Sequence, residues 1–238
     1  MGTDFSVLGR ALAVPARSEI VSLLMDGSRR PAGELAAAAG VSASTASEHL
    51  AVLVDAGLLV VESRGRQRFF RIAHTGVAAA LEQLGALARP TPVHDYRRHR
   101  EARDLASGRY CYDHLAGAVG VAIADAFVAQ GVLDRFDDEF ALAADATDRL
   151  DDLGIDLDAV RAHRRATVLA CLDWTERRFH LAGALGQAVA ARATELGWVR
   201  RRTGSRRGVE VTEAGRRGLA GEWGVALTEA GSGVGREG

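Results

Sequence analysis

The sequence predicts a mostly helical α+β chain with small β-hairpins. Three observations predict it. Apolar residues recur at helical spacing through residues 5–56 and then switch to a β-rich run over 58–72. A glycine-containing turn separates two short helices just before that switch. The block His114-Leu115-Ala116-Gly117-Ala118-Val119-Gly120 returns as His180-Leu181-Ala182-Gly183-Ala184-Leu185-Gly186. The first two describe an N-terminal helix-turn-helix with a hairpin wing. The third describes a C-terminal region of two winged-helix-like repeats.

The elements follow in order. Residues 5–12 read as a short apolar helix. Pro15 opens a second, carried by Ile20, Leu23 and Leu24 and ending near Gly27. A third, alanine-rich helix spans 31–39 and stops at Gly40. Ser42 is placed to cap a fourth helix that runs to about Ala56. On that helix Ala43, Ala46, Leu50, Leu53 and Val54 share an apolar face. Strands are expected at 58–62 and 67–72, joined by the turn Ser63-Arg64-Gly65-Arg66. A last helix over 76–87 places Leu81, Leu84 and Leu87 on one stripe. This unit is assigned residues 1–90, followed by a solvated linker helix over 91–110. The duplicated region takes 111–227, and a Gly/Ser-rich tail over 228–238 is expected to be disordered.

In each repeat a helix leads to a glycine, a strand, a turn, a second strand and a short helix. The hairpin tips differ: Asp134-Arg135-Phe136-Asp137-Asp138-Glu139 is acidic, whereas the second copy carries Arg200, Arg201, Arg202, Arg206 and Arg207. The arginine tip is expected to be mobile in solvent or to pair with acids from 134–158, pairing being favoured, with phosphate binding as the alternative. The charge balance is just as segmented. The net is −1 overall, yet residues 111–160 alone carry −10, between basic flanks. All 30 basic groups are arginine, whose forked guanidinium suits phosphate.

The outward face of the fourth helix has the chemistry for base edges. Ser42, Ser44, Thr45, Ser47, Glu48 and His49 are small or polar enough to enter a major groove. Arg64, Arg66 and Arg68 on the wing suit the phosphate backbone. The run from Leu35 to Leu59, with its Ser44-Thr45-x-Ser47-x-His49-Leu50 core and Ala56-Gly57-Leu58 end, resembles the ArsR-type winged-helix repressors. The resemblance covers about residues 5–90. It implies a homodimer whose first and last helices pair across a two-fold axis, with Leu81, Leu84 and Leu87 as candidate contacts, core packing being the equally good reading of that stripe. It also implies double-stranded operator DNA as partner. The metal positions of that family are not matched: the third helix is Glu34-Leu35-Ala36-Ala37-Ala38-Ala39, and 78–87 offers no Asp/His ligand pair. No metal and no cofactor are assigned.

In the C-terminal region, Cys111-Tyr112-Asp113-His114 reads as one helical turn, with Cys111 and His114 on a shared face. His114 and His180 open equivalent helices, where capping is one role for them. A cleft between those helix starts, walled by Tyr112 and Trp174, is the other reading. It makes Cys111, Asp113, His114, Trp174 and His180 the candidate set for a small-molecule effector. Structural, ligand, redox and metal roles stay open for Cys111, Cys171 and the histidines. No run of apolar residues is long enough for a membrane span, and the N-terminus lacks a secretory pattern. Two cysteines make no disulfide framework, so the cytoplasm is expected. No phosphate loop, dinucleotide fingerprint or nucleophile elbow is present, so no enzyme is expected. The sequence points to a DNA-binding regulator, with an adaptor that uses its winged units without DNA as the alternative.

Overall fold

The computed structural model describes residues 4–65, 67–88, 96–205 and 207–227. Two compact units emerge. The first comprises Met1–Leu84 with Tyr110–Asp113; the second comprises Gly85–Arg109 and His114–Gly238. Among the described residues no helix is long and apolar enough to cross a membrane.

The first unit begins with α1 (Ser6–Leu12) and α2 (Pro15–Leu24), followed by β1 (Arg30–Pro31), α3 (Ala32–Ala39) and α4 (Ala43–Asp55). Gly40 sits in the left-handed region at φ 66°, which lets the chain leave α3 sharply before α4 starts. Ser42 caps α4 by accepting from the Thr45 backbone N–H. The wing is β2 (Leu59–Arg64) and β3 (Gln67–Ile72), antiparallel, with Leu59 opposite Ile72 and Arg64 opposite Gln67. The ladder therefore reaches Arg64, whereas sequence placed Ser63 and Arg64 in the turn. Alternating burial along β2 and the left-handed Gly65 allow a tighter connection. β1 joins as a third strand, with Arg30 opposite Phe70, a pairing too short to read from periodicity. The core is Ile20, Leu24, Leu35, Leu50, Leu53, Leu59 and Ile72. Ala43 is exposed, not on the buried face of α4 as expected, because the first turn projects beyond the packed residues Ala46, Leu50 and Leu53. The unit closes with α5 (Thr75–Leu87).

After α5 the chain forms α6 (Tyr96–Ser107) and then two copies of one pattern, which belong to the second unit except for Tyr110–Asp113. The first copy is β4 (Arg109–Cys111), β5 (His114–Ala116), α7 (Gly117–Ala129), β6 (Leu133–Phe136), β7 (Glu139–Leu142) and α8 (Ala146–Asp152). After α9 (Leu157–Arg161) comes the second: β8 (Leu169–Leu172), β9 (Phe179–Ala182), α10 (Gly183–Glu195), β10 (Val199–Arg201), β11 (Val209–Val211) and α11 (Glu213–Gly221). The hairpins β4–β5 and β8–β9 ahead of each helix were not expected. The segment around Cys111, Asp113 and His114 is a β-turn region with Tyr112 at φ 63°, not a helical turn. His114 and His180 lie on β5 and β9, so neither caps a helix; the N-cap positions belong to Ala116 and Ala182.

The copies embrace each other. α7 packs on β9 of the second copy, and α10 packs on β5 of the first. The repeated glycines sit at this approach: a methyl at Gly120 would stand 3.6 Å from the His180 Cβ and one at Gly186 3.2 Å from the His114 Cβ of the other copy, besides striking the carbonyl oxygens of their own copy's Leu115 at 2.3 Å and Leu181 at 2.5 Å. Behind this seam, Trp223 meets Trp198 edge-on at 5.0 Å and Phe127 at 6.0 Å. At the arginine tip, Arg200 and Arg202 take partners outside 134–158. Arg200 pairs across the ladder with Glu210, and Arg202 lies 3.5 Å from Asp104. Arg207 is buried, and Arg206 lies outside the described residues.

Candidate nucleic-acid interface and a buried histidine pair

The N-terminal half of α4 presents a hydroxyl-rich surface. Ser42, Ser44, Ser47 and Glu48 are exposed, while Thr45 and His49 are half-buried. Ser42 Oγ lies 2.9 Å from both Ser44 Oγ and Thr45 Oγ1, and the Ser47 hydroxyl donates to the Ala43 carbonyl at 2.9 Å. Part of this polar set therefore orders the helix start, which leaves Ser44 and Glu48 as the more outward groups. The arrangement offers short donors and acceptors on a rigid helix end, as base edges and phosphates require.

On the wing, Arg64 and Arg68 are exposed, and the Arg64 guanidinium stands 5.8 Å from the Phe69 ring centre. Arg66 lies outside the described residues. Glu62, the acid nearest this tip on the same hairpin, is engaged by Arg71 at 2.6 Å and by Arg29 at 3.3 Å. The hydrogen bond from Arg71 holds its carboxyl below the usual range. With that acid compensated, the outer wing keeps the positive character that a phosphate backbone attracts.

The second unit holds a different kind of site. His114 and His180 are buried, with Nε2 atoms 3.2 Å apart and ring centres 5.1 Å apart. The Nδ1 of His180 lies 3.2 Å from Oδ2 of Asp173. Asp173 is fully buried. It accepts from the backbone N–H groups of Gly117 at 2.7 Å, Thr175 at 2.9 Å and Glu176 at 3.0 Å, and from the Thr175 hydroxyl at 2.6 Å. Arg109, also fully buried, donates to it at 3.2 Å. Burial by itself would raise this carboxyl. The adjoining His180 imidazole, the Arg109 charge and the Thr175 hydroxyl outweigh burial and hold it far below the usual carboxylate range.

Sequence reasoning grouped Cys111, Asp113, His114, Trp174 and His180. The structure brings His114 and His180 together with Cys111; the donor atoms of Cys111, His114, Cys171 and His180 all lie within 4.8 Å of one another, and all four residues are buried. Asp113 is half-buried at the hairpin turn. Trp174 turns its ring to Arg109, whose guanidinium stands 4.8 Å over it. Cys171, weighed from the sequence beside the histidines, joins them here, and Asp173 is the member that sequence reasoning did not single out. The signal for Cys171 was a strand pattern at 169–172, which puts it directly opposite His180. Asp173 sits just past that strand, where its side chain turns back to the chain's own backbone.

Residues 14–60 match the family described as bacterial regulatory protein, arsR family. The uncharacterized HTH-type transcriptional regulator YdfF of Bacillus subtilis is 40% identical over 216 residues, spanning 91% of this chain and 95% of the relative. The HTH-type transcriptional regulator CmtR of Mycobacterium tuberculosis is 44% identical over 77 residues, 32% of this chain and 64% of that one. The solved homodimeric winged helix-turn-helix DNA-binding domain Mb0332 of Mycobacterium bovis shares 35% identity, over 34% of this chain and 76% of that one, with a TM-score of 0.31.

Proposed function

The chain belongs to the arsR family of helix-turn-helix transcriptional regulators, and from that premise we propose that it is a dimeric, sequence-specific repressor relieved by an effector sensed through its second unit. The observation that carries the reading is the start of α4, an exposed hydroxyl face held rigid by the Ser42 cap. In this mechanism α4 enters the major groove, with Ser44 and Glu48 toward base edges. Ser42, Thr45, Ser47 and His49 line the approach. Arg64, Arg66 and Arg68 neutralise phosphates beside it, fixing register while contributing little to sequence choice.

Dimerisation is supported by apolar surface on the first and last helices of the first unit. Phe5 just before α1, Val7 and Leu8 on α1 and Leu84 on α5 are exposed, and an apolar groove runs between these helices, lined by Leu8, Leu12, Leu58, Val77, Leu81 and Leu84. A second copy of the chain would cover it, and two recognition helices would then face successive major grooves.

A mobility-shift titration against DNA fragments recovered by the chain tests the reading. A shifted complex that contains two chains and resists competition by unrelated DNA is the expected result. A chain that binds no duplex would leave the adaptor reading in its place.

A further inference from the structure

We propose that Cys111, His114, Cys171 and His180 bind one tetrahedral divalent ion of the zinc class, closing the seam between the two repeats. Cys111 ends β4 and His114 opens β5, the two strands of one hairpin. The chemistry of the set is specific. Two thiols and two imidazoles are the donors that zinc takes in closed structural sites, and oxygen-preferring ions such as magnesium or calcium are disfavoured.

The geometry supports it independently. For Zn–N bonds near 2.0–2.1 Å, two imidazole nitrogens on a tetrahedral ion stand roughly 3.3–3.4 Å apart, and two sulfurs about 3.8 Å apart. The His114 and His180 Nε2 atoms are 3.2 Å apart, and no pair among the four donor atoms exceeds 4.8 Å. Small adjustments of the thiol rotamers complete the tetrahedron.

The surroundings orient the ligands. With Asp173 beside its Nδ1, the His180 ring carries its proton there and turns an Nε2 lone pair toward His114 and the thiols. A carboxylate behind a ligating histidine is the usual outer partner of zinc. That carboxylate is itself pinned by Gly117, Thr175, Glu176 and Arg109. Each thiol gives up its proton on binding, so two thiolates, two neutral imidazoles and one divalent ion sum to zero charge. A neutral cluster is what a fully buried position tolerates.

The placement gives the ion a job. Cys171 and His180 face each other across β8 and β9, while His114 comes from β5 of the other copy. One ion thus ties the hairpin of one repeat to that of the other at the point where α7 and α10 cross over. Four protein ligands leave no open position, so the site is a staple and not a catalytic centre.

The test uses the full chain, reduced and stripped of metal by a chelator, then titrated with cobalt(II). The expected result is uptake of one ion per chain, with the visible bands of tetrahedral cobalt and a near-ultraviolet thiolate-to-cobalt transition, both erased when zinc displaces it. Asp173→Asn should weaken zinc affinity by roughly 10–100-fold while keeping the same cobalt spectrum. Cys171→Ser should lose part of the thiolate transition. Because the wild-type spectrum alone reports two sulfurs and two nitrogens, a variant that fails to fold does not blunt the test. A reduced chain that takes up no cobalt, or binds it only with the weak spectrum of an octahedral oxygen site, overturns the proposal. Neither readout depends on DNA binding.

Discussion

His114 and His180, 66 residues apart in the chain, meet Nε2 to Nε2 at 3.2 Å. Each rests on a glycine of the other copy: Gly120 lies under the His180 side chain and Gly186 under that of His114. The repeated block is therefore a mutual clasp. Its histidine reaches across, and its last glycine receives the partner's histidine.

The clasp makes a stability prediction. Gly120→Ala and Gly186→Ala place a methyl against the backbone carbonyls of their own copy's Leu115 and Leu181, at 2.3 and 2.5 Å, and any shift that relieves this presses on the other copy's histidine, whose Cβ lies 3.6 and 3.2 Å away. Each should destabilise the chain by about 1–3 kcal/mol through overpacking. Urea unfolding of the two variants checks it, and an unchanged midpoint in both would remove the clasp from the account.

Arg109 is a fully buried cation of the same unit, donating to Asp173, the Thr175 hydroxyl and the Leu105 carbonyl. Arg109→Met leaves Asp173 buried without its cation and should cost about 3–5 kcal/mol. Thermal unfolding reads this directly. A loss below ~1 kcal/mol would mean that the backbone N–H groups around Asp173 suffice.

Cap and readout are separable on α4. Ser42→Ala removes the hydroxyl that accepts from Thr45 N–H and should cost about 1 kcal/mol of stability. Ser44→Ala, at an exposed position, should stay within roughly 0.5 kcal/mol of wild type. It should nonetheless narrow the gap in affinity between operator and unrelated DNA. Paired unfolding and anisotropy titrations of the two variants compare them; equal effects of both on stability would undo the assignment.

How much of this was legible in the sequence depends on the range of the interaction. The helix-turn-helix and its wing rest on local signals: Gly40 at a left-handed turn, Ser42 at a cap, and the change of period at Leu58. The duplication was legible too, because a block repeated with only Val119 changed to Leu185 folds alike twice. The hairpins β4–β5 and β8–β9 were not. Three or four strand residues followed by a helix start look like the first turn of that helix, which is why Cys111 and His114 were read at helical spacing. That Cys171 and the two histidines share one neighbourhood is legible from the duplication, whereas the direct meeting of the two Nε2 atoms and the place of Asp173 behind His180 depend on how one copy packs against the other. Ala43 was misplaced for a simpler reason: helical periodicity fixes a face but not where the packed neighbours end.

The apolar groove between α1 and α5 makes an assembly prediction. Leu84→Glu puts a charge on the exposed edge of that groove and should convert dimer to monomer in sedimentation equilibrium. Operator affinity should fall with it, because each half-site is then held by a single wing and helix. A dimer that survives both this change and Leu8→Glu would place the interface elsewhere.

The account's central claim is that α4 and the wing read duplex DNA, and a salt-dependent affinity measurement tests it most directly. Genomic fragments enriched by the chain should contain a two-fold-related site bound about 10³-fold or more tighter than a scrambled duplex. Arg64→Ala with Arg68→Ala should weaken both duplexes alike and flatten the dependence of log affinity on log salt by roughly one unit per lost phosphate contact. Equal affinity for enriched and scrambled DNA, or a salt slope untouched by removal of both arginines, would contradict it.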